Sequence, residues 1–454
     1  MASTRREFIT NVSALAIAAV FPVGRALAQA PSGANSRDRV LLCNEDSNTL
    51  SVIDPNTNTV AATINLTSFD EDPRPPFRLV TGGVTPTHAG MAAKPLYHGA
   101  INIHGAAPSP DNKLLACTGR GSSNVYLVDL ETMKVVGNTP NPQAGNETNA
   151  ERITTGVLVG REPHEPTFSR NGKELWVTVR GENRIAVVDT AAAVKESPGV
   201  ALRAVRRYVD CLNGPAQVWF SADGRLAFVI SQKASQMEVI ETNFGRDGFS
   251  RPKRRGLIDI KAQDPFGFTP FEKTAPDGKE LWLSHKLADS VSAWSAAREP
   301  KLLDNISLGK LARPNHIEFV ENSRGKVVYV SLARVDDGGP GGVAASRIAV
   351  IDRSAVPGGR KVVGTFFSHG REAHGLWTNP ENSLLYIAHE QDELPNTPNA
   401  GQTVCAAFDV SDPFKPRFIA QIALGDLVVP SGRLRNKKSI NLVYVRPGAR
   451  SQTA

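Results

Sequence analysis

Arg39 to Leu66 reads RVLLCNEDSNTLSVIDPNTNTVAATINL, three short runs rich in Val, Ile, Leu and Thr joined by Asn, Asp, Ser and Pro. Branched aliphatic residues and threonine favour a pleated, half-buried surface, whereas the joining residues cap their own turns with side-chain oxygens. The stretch is therefore a three-stranded meander. Such a meander cannot bury both faces alone, so its recurrence along the chain decides the architecture. Its middle run TLSVID returns as NVYLVD (Asn124 to Asp129), RIAVVD (Arg184 to Asp189), QMEVIE (Gln236 to Glu241), SVSAWS (Ser290 to Ser295), RIAVID (Arg347 to Asp352) and VCAAFD (Val404 to Asp409), seven copies in all.

Each later copy follows a run that turns on an Asp-Gly-like pair: SPDNK near Asp111, SRNGK near Asn171, SADGR near Asp223, APDGK near Asp277, NSRGK near Arg324 and NPENS near Glu381. Such pairs accept the positive φ of a tight hairpin, so each joins an inner strand to the next. Every unit then has four strands. Seven such units, 50 to 75 residues apart, predict an all-β fold, a seven-bladed β-propeller of four-stranded antiparallel blades closing radially. The first copy has no inner strand ahead of it. Ser439 to Val445, SINLVYV, has the composition to supply it, so a C-terminal strand is expected to complete the first blade.

Two stretches, TLSVIDPNTNTVAATI and HGAAPSPDNKLLACTG from His104, resemble the YVTN-type seven-bladed propellers, a family that also resembles the haem d1 domain of nitrite reductases and the lactonase propellers. The resemblance covers nearly the whole chain after the N-terminal segment. It implies the fold and leaves the activity open, because one fold hosts many unrelated functions.

Residues 1–30 carry Ser3-Thr4-Arg5-Arg6-Glu7-Phe8-Ile9, an apolar run from Val12 to Val23 and a small-residue site at Ala26 to Ala28. This resembles a cleaved twin-arginine export signal, too short to be a membrane anchor, and implies a periplasmic protein with no membrane span after cleavage. Residues 31–454 are then one propeller domain, expected to be monomeric. The formal net charge of +7 is weakly basic; no nucleic-acid motif accompanies Arg251 to Arg255 or Arg433 to Lys438, and nucleic acid is not an expected partner. Cys43, Cys117, Cys211 and Cys405 form no Cys-x-x-Cys-His run, which excludes a covalent c-type haem. Cys43 and Cys117 hold the same strand position in neighbouring blades and are expected to point the same way rather than at each other.

The chemistry-bearing residues repeat with the blades. His104, His164, His316 and His374 each stand at the start of an inner strand, which places four imidazoles at one mouth of the central channel. Gly160-Arg161-Glu162-Pro163-His164 matches Gly370-Arg371-Glu372-Ala373-His374, and Arg313-Pro314-Asn315-His316 also has Arg three residues before His. The equivalent places in blades four and five hold Gln217 and Thr269-Pro270. His389-Glu390 and His285, at ends of second strands, are expected on the same face. Neutral imidazoles a few ångströms apart suit a copper, iron or zinc ion or the iron of a non-covalent haem, with His104, His164, His316, His374 and His389 as candidate ligands. Arginine beside them suits an anionic small molecule or cofactor, which points to Arg313, Asn315 and Gln217 as binding residues. The resemblance to d1-type propellers implies a redox or cofactor-handling role. That to lactonase propellers implies a hydrolase or lyase, with Arg161 and Arg371 binding substrate and Glu162 or Glu372 exchanging protons. A non-catalytic platform for a periplasmic protein partner is the third reading.

Overall fold

In the computed structural model the runs found in the sequence are strands, and the repeats are blades. The structure describes residues 34–66, 101–140, 153–195, 204–429 and 432–453. The expected export signal, residues 1–30, lies outside them.

Seven antiparallel sheets follow one another in chain order. Blade three is typical: Pro163–Phe168, Glu174–Val179, Arg184–Asp189 and Val205–Asp210, running from the channel outwards. Its two innermost strands are buried along their whole length, while the outermost alternates between half-buried and exposed. That gradient follows from the packing. Inner strands are covered on both faces by neighbouring blades, and the outer strand meets water. Trp176 of blade three meets Phe220 of blade four edge to face at 5.1 Å, an apolar contact of the kind that joins one blade to the next.

The hairpins between first and second strands have a shared physical cause. Ser109, Ser169 and Ser221 each bind the Asp or Asn two residues on and accept the N–H five residues on, at Leu114, Glu174 and Leu226. Asn379 does the same for Leu384 in blade seven. The turn itself holds a left-handed residue, such as Asn112 (φ 53°) or Gly224 (φ 68°).

Closure is as expected. Ser439–Val445 pairs antiparallel with Arg39–Asn44, Leu41 opposite Val443, and becomes the inner strand of blade one. Past it, Ser451 to Thr453 fold across the far end of the channel: the Thr453 hydroxyl donates to the Pro108 carbonyl (2.8 Å), and the Gln452 amide donates to Thr378 Oγ1 (2.9 Å) while accepting from Lys273 Nζ (2.6 Å).

Three details differ from the expectation. Blade two gains a fifth strand, Val157–Leu158, beside Asn124–Asp129. In blade six the second strand runs on to Asp336 and the third begins already at Ala345, the two residues opposite each other, because strand pairing satisfies backbone groups that a loop would leave to solvent. Cys43 and Cys117, expected not to face each other, have their thiols side by side. Burial pushes the Cys43 thiol well up, and the Cys117 thiol beside it adds to the rise.

Candidate metal centre at the channel mouth

Most inner strands enter their blades through a left-handed residue, and this sets the mouth. Asn102, Glu162, Arg313 and Lys438 have φ between 50° and 56°, and their carbonyls accept the N–H of the residue just past the second strand: Arg120, Arg180, Ala333 and Glu45. Two residues then leave the ladder in a bulge: His104-Gly105, His164-Glu165, Asn315-His316 and His374-Gly375. Side chains freed by the bulge face the channel.

In blades two, three and six a hydroxyl on the second strand fixes the bulge to the next blade. Thr118 accepts the Gly105 N–H (2.9 Å) and donates to the His164 carbonyl (2.6 Å). Thr178 links Glu165 to Ala216 in the same way, and Ser331 links His316 to His374. This pattern corrects the sequence alignment of blade six. Asn315, whose carbonyl accepts from Ser284 (2.6 Å), stands where His164 and His374 stand, and His316 takes the place of Glu165. Arg313 is then the counterpart of Glu162 and Glu372 (φ 56° and 58°) rather than of Arg161 and Arg371.

The four histidines do converge. They line one cavity of about 350 Å³ together with Glu45, Arg120, Glu165, Lys286, Asn315, Glu390 and Lys438. His104 and His164 have ring centres 4.4 Å apart, His316 and His374 4.8 Å, and His104 and His374 6.4 Å. The His164 Nδ1–H donates to the Ala216 carbonyl (2.8 Å). His316 stacks on Phe271 at 4.0 Å. Burial holds His316 and His374 well below the ordinary imidazole range, and burial with Arg120 brings His104 down to about 3. All three are neutral at pH 7, the form that ligates metals.

The charges around them are paired at the wall and less so towards the cavity. Glu45, 1% exposed, accepts from Arg120 (2.7 Å) and Lys438 (2.6 Å). Although burial alone would raise it, these cations and His104 hold its carboxyl well below the usual range. Burial pushes Glu165 well up, and burial raises Glu390 to about 7. A buried carboxyl kept from ionising by its surroundings is one that a cation would stabilise. Burial also lowers Lys286, which feels the charges of Glu390 and Glu372.

His104, His164 and Glu165 each bring a ligand atom within 4.8 Å of the others, which makes them the group best arranged for an ion among the described residues. Two imidazoles and one carboxylate are a common set for Fe(II) and Zn(II) with open positions.

The remaining sequence candidates sit elsewhere. His389 donates from Nδ1 to the Val404 carbonyl (3.1 Å) and faces the Ser368 hydroxyl with Nε2 (3.0 Å), so both nitrogens hold the blade together. His285 is engaged likewise by Thr269 and Ser292. Glu162 pairs with Arg180 and lies 3.8 Å from Arg120; Arg161 pairs with Glu182; Arg371 donates to the Asp392 carbonyl; Glu372 accepts from Gln391. Arg313 is exposed, and Gln217 accepts the Glu272 N–H (2.7 Å). Missed were Glu45, Glu165, Arg120, Lys286 and Lys438. Glu45, Arg120, Gln232 and Lys286 share one offset, the first residue past a second strand, and that repeat was readable.

No family model and no curated protein matches this sequence. Solved structures share its fold. A putative 6-phosphogluconolactonase from Bacteroides uniformis is 14% identical with a TM-score of 0.56, covering 90% of this chain and 100% of that one. The periplasmic gluconolactonase PpgL of Pseudomonas aeruginosa is 14% identical with a TM-score of 0.52, covering 90% and 99%. Dihydro-haem d1 dehydrogenase NirN is 11% identical with a TM-score of 0.49, covering 90% and 75%. At these identities the likeness concerns the fold: this chain is a seven-bladed β-propeller. No helix among the described residues is long and apolar enough to cross a membrane.

Proposed function

We propose that this propeller binds a transition-metal ion at its channel mouth and presents it to a small anionic molecule, as an exported protein in a redox or cofactor-handling role. The observation that carries the proposal is the convergence of His104, His164 and Glu165 in one buried cluster, with the His104 imidazole neutral and a carboxyl that burial disfavours as an anion. The donor set favours an ion over haem, because haem iron takes one or two axial ligands from the protein, and here several imidazoles and carboxyls gather around one small space. When bound, the ion would act as a Lewis acid or a redox centre on whatever ligand shares the cavity. His104, His164 and Glu165 would hold it, Lys286 would attract the ligand's negative charge, and Phe268 and Pro270 would limit water on the far wall. Export rests on the twin-arginine pattern of residues 1–30.

The lactonase-like reading draws no support from the positions of Arg161, Glu162, Arg371 and Glu372, which are taken up by partners in the wall. The test is elemental analysis and an absorption spectrum of untagged protein, compared with the His104→Ala, His164→Ala double variant. Stoichiometric iron, zinc or copper that disappears in the variant is the expected result. Protein that takes up none of these metals in either form refutes the proposal.

A further inference from the structure

The four imidazoles do not surround one point. They stand in a row, His164, His104, His374 and His316, with centre-to-centre steps of 4.4, 6.4 and 4.8 Å. A metal–nitrogen bond of about 2.1 Å puts a ligating ring's centre roughly 3 Å from the ion, so rings sharing a tetrahedral ion lie roughly 5 Å apart. The two outer steps fit that spacing. The middle step overshoots it.

Each close pair also has its own carboxylate. Glu165 Oε1 lies 3.9 Å from His104 Nε2, and Glu390 Oε1 lies 3.5 Å from His374 Nε2. The second pair has a further donor in Asn315, which is 1% exposed and lines the cavity. Its Nδ2 donates to the Ala373 carbonyl (2.9 Å), and its buried Oδ1 has no hydrogen-bond partner among the described residues. A buried acceptor without a donor is costly in a native fold, and a cation removes that cost.

We infer that the channel mouth holds two divalent transition-metal ions side by side, one on His104, His164 and Glu165, the other on His316, His374, Glu390 and Asn315. This rests on the single-ion proposal above and extends it. The first set is already gathered. The second closes on its ion, with His316 sliding over the Phe271 ring on which it stacks. Paired ions of this kind sit about 3.5–4 Å apart and clamp an oxygen anion between them. The ligand class that follows is a small oxyanion, such as a carboxylate or phosphate, whose remaining charge faces Lys286 across the same cavity.

The test counts metal. Full-length protein is stripped with a chelator, reconstituted with excess Zn²⁺, desalted and analysed by mass spectrometry for zinc per chain, with folding followed by circular dichroism. Two zinc ions per chain are expected in the natural protein, and one in each of His164→Ala, His316→Ala and Glu390→Gln. The last keeps the size of the side chain and stays informative where an alanine variant does not fold. One zinc ion that is lost in His164→Ala and untouched in Glu390→Gln overturns the second site and leaves the first standing. No zinc in the natural protein overturns both.

Discussion

Replacing Glu45 by Gln tests whether the wall of the mouth is held by charge. Glu45 joins three parts of the chain: its own blade, Arg120 of blade two at 2.7 Å, and Lys438, which leads into the closing strand, at 2.6 Å. Removing one partner of a buried ion pair costs about 3–5 kcal/mol, because the other charge is left uncompensated. Here the low end applies. Lys438 is 27% exposed and can reach water, and Arg120 still has Glu162 at 3.8 Å. The expected loss is about 3 kcal/mol in denaturant unfolding of the metal-free protein at pH 7. At about 2.1 cal/mol/K of unfolding entropy per residue, a chain of this length shifts its Tm by only about 3 °C, so denaturant is the better assay. Adding Lys438→Met to the variant should recover part of the loss, since a removed pair costs less than a broken one. The pH dependence has a definite sign. The Glu45 carboxyl is depressed in the folded state, so its stabilisation is complete above the unfolded carboxyl range, near pH 4.5, and is lost as pH falls below it. The gap between natural protein and variant should therefore narrow below about pH 4.5. A loss under about 1 kcal/mol at pH 7, or a gap that stays constant to pH 3, would refute the reasoning.

Two other perturbations follow from the same geometry. Gly105→Ala should cost about 1–3 kcal/mol and reduce metal uptake, since the added Cβ would lie 2.4 Å from the His164 carbonyl and 2.6 Å from Glu165 Oε2; unchanged zinc binding would show that the bulge does not set the ligand spacing. Deleting residues 451–454 should destabilise the fold by about 1–3 kcal/mol in denaturant unfolding, because Lys273 loses the Gln452 side-chain Oε1 and Arg170 loses the Thr453 backbone carbonyl, and it should leave metal content unchanged because the tail sits at the opposite end of the channel from the histidines.

The repeat of TLSVID determined the fold because blade strands are local: period-two patterning, β-branched composition and Asp-Gly-like turns act over a few residues and recur seven times. The closing strand was legible for the same reason, by subtraction, since one inner strand was missing and SINLVYV had no other place. The four channel histidines were also legible, as residues at the start of a repeated inner strand. What the sequence alone did not determine was which way each offset points. His316 occupies the second place of the bulge where His164 and His374 occupy the first, which puts Arg313 in register with Glu162, and matching the histidines rather than Pro163 with Pro314 hid that shift. The fates of His389 and His285 were likewise decided by blade packing, which supplied partners for both ring nitrogens. Glu45, Arg120 and Lys438 lie as much as 393 residues apart in the chain and meet because the propeller closes on itself. Their ion pairs, the neutrality of the histidines and the raised carboxyls of Glu165 and Glu390 come from burial, which is a property of the assembled ring and of no single strand.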